Sequence, residues 1–191
     1  VSVSVTNEPT VRVIPAFDKH PPYTRGWWPG EEPVGVLMLA HGLAEHGGVY
    51  GELAASEVGR GFVMYAADHR GHGWTTPDMA QLEFFAAEDG WAKAVGDLGT
   101  VITFAKKAHP GLPLFLLGHS MGSIMARCYA IKNSRQLAGS ADAELFVNLM
   151  EDTRRAGKPD NVAHIRAELP VLISSGEADP LAANIASVAE Q

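Results

Sequence analysis

Leu114-Phe-Leu-Leu-Gly118-His119-Ser120-Met121-Gly122-Ser123 is an apolar run that breaks at a glycine–serine–glycine cluster and passes into helix-forming residues. Strand, tight turn and helix in that order put Ser120 at the tip of a nucleophile turn. Small residues are needed two positions away on each side, because a side chain at Gly118 or Gly122 would strike the adjoining backbone. The hydroxyl is thereby lifted clear of the sheet, and the N–H of Met121 opens a helix N-terminus, where developing negative charge is favoured. Reversing a strand into a helix within one residue predicts strained angles with positive φ at Ser120. A G-x-S-x-G turn arises by accident in roughly one chain of this composition in ten, so its surroundings must carry the reading.

Those surroundings alternate between strand-like and helix-like segments from about residue 34 onward, the signature of a parallel sheet covered on both faces. Residues 34–39, 61–66, 114–117 and 170–175 read as buried strands, and 50–58, 89–108, 121–131 and 143–155 as helices. Within 89–108, Trp91, Val95, Leu98 and Ile102 step by four, three and four, a single helical stripe, with Asp89 as its N-cap. Residues 10–15 suggest an edge strand, and the Pro- and Trp-rich 21–33 a loop. The fold class is therefore α/β, a mostly parallel sheet with helices on both faces, in one domain over residues 1–191. The breaks after the strands, His41-Gly42-Leu43, Asp68-His69-Arg70-Gly71-His72-Gly73, Gly118–Gly122 and Gly176-Glu177-Ala178-Asp179-Pro180, fall at carboxyl ends, the edge at which such sheets place their sites.

Composition narrows the classes. The 191 residues carry a net charge of −7, against non-specific nucleic-acid binding, which needs clustered Lys and Arg. No apolar run is long enough to cross a bilayer, and no targeting pattern is visible, so a cytoplasmic setting is expected. The single Cys128 falls on the helix after Ser120 and reads as packing.

An acyl-transfer site needs a nucleophile, a second backbone donor for the oxyanion, a base, and an acid to orient the base. Ser120 is the nucleophile; the N–H of Leu43 joins that of Met121 as the oxyanion hole, each donor worth roughly 3 kcal/mol of barrier; Asp179, held before Pro180, is the carboxylate. The base is missing. His41-Gly-Leu-Ala-Glu45-His46, Asp68-His-Arg-Gly-His-Gly73, Gly118-His-Ser-Met-Gly-Ser123 and Gly176-Glu-Ala-Asp-Pro180 together resemble the monoacylglycerol lipase and lysophospholipase-like branch of the α/β-hydrolase fold. The resemblance covers about residues 34–139 and 160–191. It implies the same roles for Ser120, Asp179, Leu43 and Met121, a small ester or lipid substrate with one acyl chain, no cofactor, and transient membrane-surface contact through a cap. Members carry the catalytic His beyond the Asp, whereas residues 180–191 contain none. With an imidazole between them, the Asp179 carboxylate and Ser120 hydroxyl should stand on the order of 7–8 Å apart.

The 59 residues from Ser120 to Asp179 show no strand pattern between the helices at 121–131 and 143–155, and the cap insertion expected near 139/140 is absent. This predicts that Gly139 and Ser140 are not neighbours in the natural chain. Other groups have plainer readings. Glu177 and Asp152 are weaker substitutes for Asp179. His41 and His46 lack zinc-protease spacing and brace the oxyanion loop with Glu45, leaving no metal site. Asp68, His69 and His72, with Arg70 among them, read as a solvated, self-paired turn. His119 points away from Ser120, His164 lies at the surface, and Trp27 and Trp28 belong to a loop packed on the sheet edge rather than to an acyl site. The rivals to a lipid esterase are a catalytically incomplete binding protein and another serine hydrolase of the fold, a peptidase or perhydrolase.

Overall fold

A computed structural model describes residues 8–142 apart from 17, 19 and 77. The expected strand at 170–175, the helix at 143–155, and Asp152, His164, Glu177 and Asp179 lie outside the described residues. The strands are β1 (Thr10–Val13), β2 (Tyr23–Trp27), β3 (Gly35–Ala40), β4 (Phe62–Ala67), β5 (Leu114–Gly118) and β6 (Gly139–Asp142); the helices are α1 (Gly51–Gly59), α2 (Gly90–Ala108) and α3 (Met121–Asn133). They form one sheet in the order β1-β2-β4-β3-β5-β6. β1, β2 and β4 pair antiparallel in turn, while β4, β3, β5 and β6 run parallel.

Every residue of β3, β4 and β5 is buried, as continuous apolar runs in a sheet covered on both faces must be. Their side chains alternate between two cores. Val36, Met38, Ala40, Val63 and Tyr65 pack with Leu98, Val101 and Ile102 of α2 and Met125 of α3. Leu37, Leu39, Met64 and Leu117 pack with Ala54 and Val58 of α1 on the other face. Parallel pairing puts the carboxyl ends of β3, β4 and β5 on one edge, with Ala40 opposite Gly118.

Three expectations are corrected. Residues 23–27 are not loop: β2 is hydrogen-bonded on both sides, with Pro21, Pro22 and Pro29 just outside it. Trp27 is accordingly buried in the α1-side core, and Trp28 packs edge-on against Tyr65 with centroids 5.7 Å apart, so neither borders Ser120. Asp89 stands at the N-cap of α2 in a left-handed conformation (φ 53°, ψ 31°) and makes no side-chain capping bond; it serves through its carbonyl, which accepts from Lys93 N–H at 2.9 Å. The buried stripe is Ala94, Leu98, Val101, Ile102 and Ala105, with Trp91 and Val95 half-buried at its margin. Finally, a strand does run between α3 and residue 143. β6 pairs parallel with β5 from Gly139 opposite Phe115 to Asp142 opposite Gly118. Gly-Ser-Ala-Asp carries no apolar alternation, and only the neighbouring ladder makes it a strand.

Candidate active site

Ser120 has φ 51° and ψ −119°, the positive φ expected at the tip of the turn between β5 and α3, and it is exposed. The flanking glycines are required by contact. A Cβ on Gly118 would lie 2.4 Å from Ser123 Cα, and one on Gly122 1.9 Å from the Ala40 carbonyl oxygen. Hydrogen bonds hold the reversal: Ser123 Oγ donates to Gly118 O at 2.8 Å, Gly122 N–H to His119 O at 2.8 Å, and His119 N–H to Ala40 O at 3.0 Å. The last bond ties the turn to the end of β3, where the second loop begins. Ser123 is a structural member of this site that the G-x-S-x-G pattern does not include.

That loop, residues 41–48, is fastened along its length. The His41 ring is fully buried; its Nε2 accepts from His69 N–H at 2.9 Å, which leaves Nδ1–H to donate to Gly42 O at 2.8 Å. Burial chiefly holds the His41 imidazole down at about 4, so the ring is neutral at ordinary pH. Gly42 N–H donates to Glu45 Oε2 at 2.9 Å, Gly48 N–H to His46 Nδ1 at 3.1 Å, and Gly47 N–H to Asp68 Oδ1 at 2.8 Å. His41, His46 and Glu45 thus brace the loop as the sequence suggests. The N–H groups of Leu43 and Met121 have no acceptor among the described residues. Leu43 itself is 53% exposed, and Ser120 is exposed too.

The turn after β4 is not solvated, as expected from its charges, but buried. Asp68 is 0% exposed, His69 4%, Arg70 3% and His72 2%. Its partners come from elsewhere in the chain, which is why a local reading missed them. Asp68 pairs with Arg25 of β2 and accepts from Trp74 N–H at 2.9 Å; Arg70 spans Asp97 of α2 and Asp18 of the loop after β1. Burial pushes the Asp97 carboxyl above its ordinary value, with Arg70 opposing. The rings of His41 and His69 lie 4.0 Å apart and those of His41 and His72 5.3 Å, and burial holds the His69 imidazole well below its ordinary value. No group of three His, Cys, Asp or Glu side chains among the described residues is arranged to hold a metal ion.

No described histidine is hydrogen-bonded to Ser120. His41 is engaged with Gly42 and His69, His46 with Gly48, His72 with Arg70 O at 2.8 Å, and His119 with Tyr50 and Glu45. An open groove of about 470 Å³ between α2, α3 and Ile14–Pro15 includes neither Ser120 nor Leu43 in its walls.

A hydrolase family described as serine aminopeptidase, S33, matches residues 31–142, more than half of the sequence and all of the two loops and the serine turn. The chain belongs to this family. Over 106 residues it is 38% identical to a monoacylglycerol lipase of Mycolicibacterium smegmatis, and over 117 residues 34% identical to the human monoglyceride lipase. These matches take in 56% and 61% of the chain but only 36% and 37% of the relatives, so the likeness spans little more than a third of their length. Among solved structures, a thermostable carboxyl esterase of Bacillus coagulans shares the fold with a TM-score of 0.65 at 22% identity, covering 94% of this chain and 65% of that one. A lipase in an open form has a TM-score of 0.59 at 26% identity, covering 70% of this chain and 44% of its own. The α/β-hydrolase fold expected from the sequence is confirmed, and no helix among the described residues is long and apolar enough to cross a membrane.

Proposed function

We propose that this family member is a serine hydrolase that cleaves carboxylic esters of lipid-like substrates, of the monoacylglycerol or lysophospholipid class, through an acyl-enzyme. The observation that carries the reading is Ser120 at φ 51° on a turn whose glycines cannot be replaced, tied by His119 N–H to the end of the strand that leads into His41-Gly42-Leu43. In the first half-reaction Ser120 Oγ attacks the ester carbonyl carbon while its proton passes to a base. The negative carbonyl oxygen rests on the N–H groups of Leu43 and Met121. The bond to the alcohol oxygen then breaks, the base returns the proton to that oxygen, and the acyl group remains on Ser120. Water repeats the sequence and releases the acid. The base is an imidazole from outside the described residues, oriented by Asp179. The lipid class is favoured by the names of the 38% and 34% identical relatives.

The family description favours a second reading, hydrolysis of an aminoacyl amide. A p-nitrophenyl ester series of increasing acyl length, set beside aminoacyl p-nitroanilides, separates the two. The ester reading predicts p-nitrophenol release that Ser120→Ala abolishes and little anilide cleavage. Cleavage of the anilides in preference to the esters would replace it with the peptidase reading, and no turnover of either would favour a binding protein.

A further inference from the structure

One carboxylate oxygen joins the two halves of the proposed oxyanion hole. Glu45 Oε2 accepts from Gly42 N–H at 2.9 Å, from the Tyr50 hydroxyl, and from the His119 ring Nδ1 at 3.1 Å. The Tyr50 oxygen lies 2.8 Å from the same His119 nitrogen. One proton assignment satisfies all of these contacts: Tyr50 O–H donates to the carboxylate, and His119 Nδ1–H is shared between the Tyr50 oxygen and Glu45. The approach is close enough to exclude a side chain at Gly42, where a Cβ would stand 2.9 Å from Glu45 Oε2 and 3.1 Å from His119 Nδ1. Burial works against the charge on Glu45, but the bonds from Tyr50, Gly42 and His119 hold its carboxyl below the usual range.

We infer that Glu45 is a positioning residue that clamps the oxyanion loop to the nucleophile turn through His119. This rests on the reading of Ser120 as nucleophile. Leu43 follows Gly42, and Met121 stands two residues beyond His119, so the clamp grips each donor strand next to the donor itself. The main-chain bond from His119 N–H to Ala40 O fixes the roots of the two loops; Glu45 fixes their tips. Oxyanion donors act only within about 2.7–3.1 Å of where the charge will develop, so a loosened clamp would reduce the rate without changing how substrate is held. Glu45 touches no reacting atom in this scheme.

The alternative is that Glu45 only caps its own loop through Gly42. Amide hydrogen exchange by NMR on the full chain separates the two, with Glu45→Gln, Tyr50→Phe and His119→Ala as variants. His119 sits 74 residues from Glu45 and its side chain is 45% exposed, so its removal should leave the fold intact, checked by unchanged exchange in α1. The clamp predicts that His119→Ala speeds exchange at Gly42, whose N–H is bonded to Glu45, about tenfold, and that adding Glu45→Gln speeds it little further. Unchanged exchange at Gly42 in His119→Ala would overturn it. On an ester substrate, Glu45→Gln should lower kcat about tenfold or more with KM held within about twofold. A change confined to KM would equally overturn the clamp. An absence of ester turnover in the unaltered protein would count against the proposed function, while the exchange result would still decide the clamp.

Discussion

A serine at φ 51° and ψ −119° occupies backbone space that only glycine enters without cost, and such a residue stores about 1–3 kcal/mol. Replacing Ser120 by Gly relieves that strain, whereas Ala retains it. Ser120→Gly should therefore be more stable than Ser120→Ala by about 1 kcal/mol in denaturant midpoint, both without activity. Equal midpoints would mean that the turn is not strained at its tip. The neighbouring Gly122 shows the opposite case: a methyl group there would meet a main-chain oxygen of β3 at 1.9 Å, and no rotamer can move it away. Gly122→Ala should cost about 3 kcal/mol or more and lower the thermal midpoint accordingly. This part of the site was legible from residue order alone, since an apolar run, two glycines and a helix former leave one backbone path. Ser123, which bonds back to Gly118, was not legible, because a serine at the third position of a helix has several ordinary uses.

The two loops at the carboxyl edge, residues 41–48 and 68–76, depend on buried polar groups drawn from distant elements. Arg70 is the chief example, with side-chain exposure of 3% and partners on α2 and the loop after β1. Arg70→Leu would leave the buried Asp97 carboxylate without its cation and should destabilise the fold by about 3–5 kcal/mol; Asp97→Asn in the same chain should recover part of this. The local sequence suggested a solvated turn because nothing near residue 70 reveals that Asp97, a helix apart, faces it. Acid sensitivity follows from the same burial. His41 titrates at about 4 when folded and near 6.5 when unfolded. Between those values the unfolded chain takes up a proton that the folded chain refuses. The stability His41 permits is thus fully present above about pH 6.5 and falls as pH drops towards 4, by roughly 3 kcal/mol. His69, shifted in the same direction, adds to the loss. Denaturant midpoints at about pH 7 and about pH 4.5 check the sign: greater stability at the lower value would contradict neutral, buried rings.

At the scale of the whole molecule, one edge of one sheet carries every described feature used in the proposed chemistry. β3, β4 and β5 were readable as unbroken apolar runs buried on both faces, and their parallel order followed from the helices between them. β2 and β6 were not, since Tyr23–Trp27 is hidden among prolines and Gly139–Asp142 has no apolar pattern; pairing with neighbours makes both. The described residues supply a nucleophile and two free N–H groups but no imidazole bonded to Ser120. The central claim, that Ser120 takes the acyl group, is tested most directly by quenching a reaction with a p-nitrophenyl ester in acid and locating the acyl mass by peptide mapping. The acyl group should be found on the peptide carrying Ser120 and should disappear in Ser120→Ala. Acylation of another residue, or ester turnover undiminished in Ser120→Ala, would contradict it.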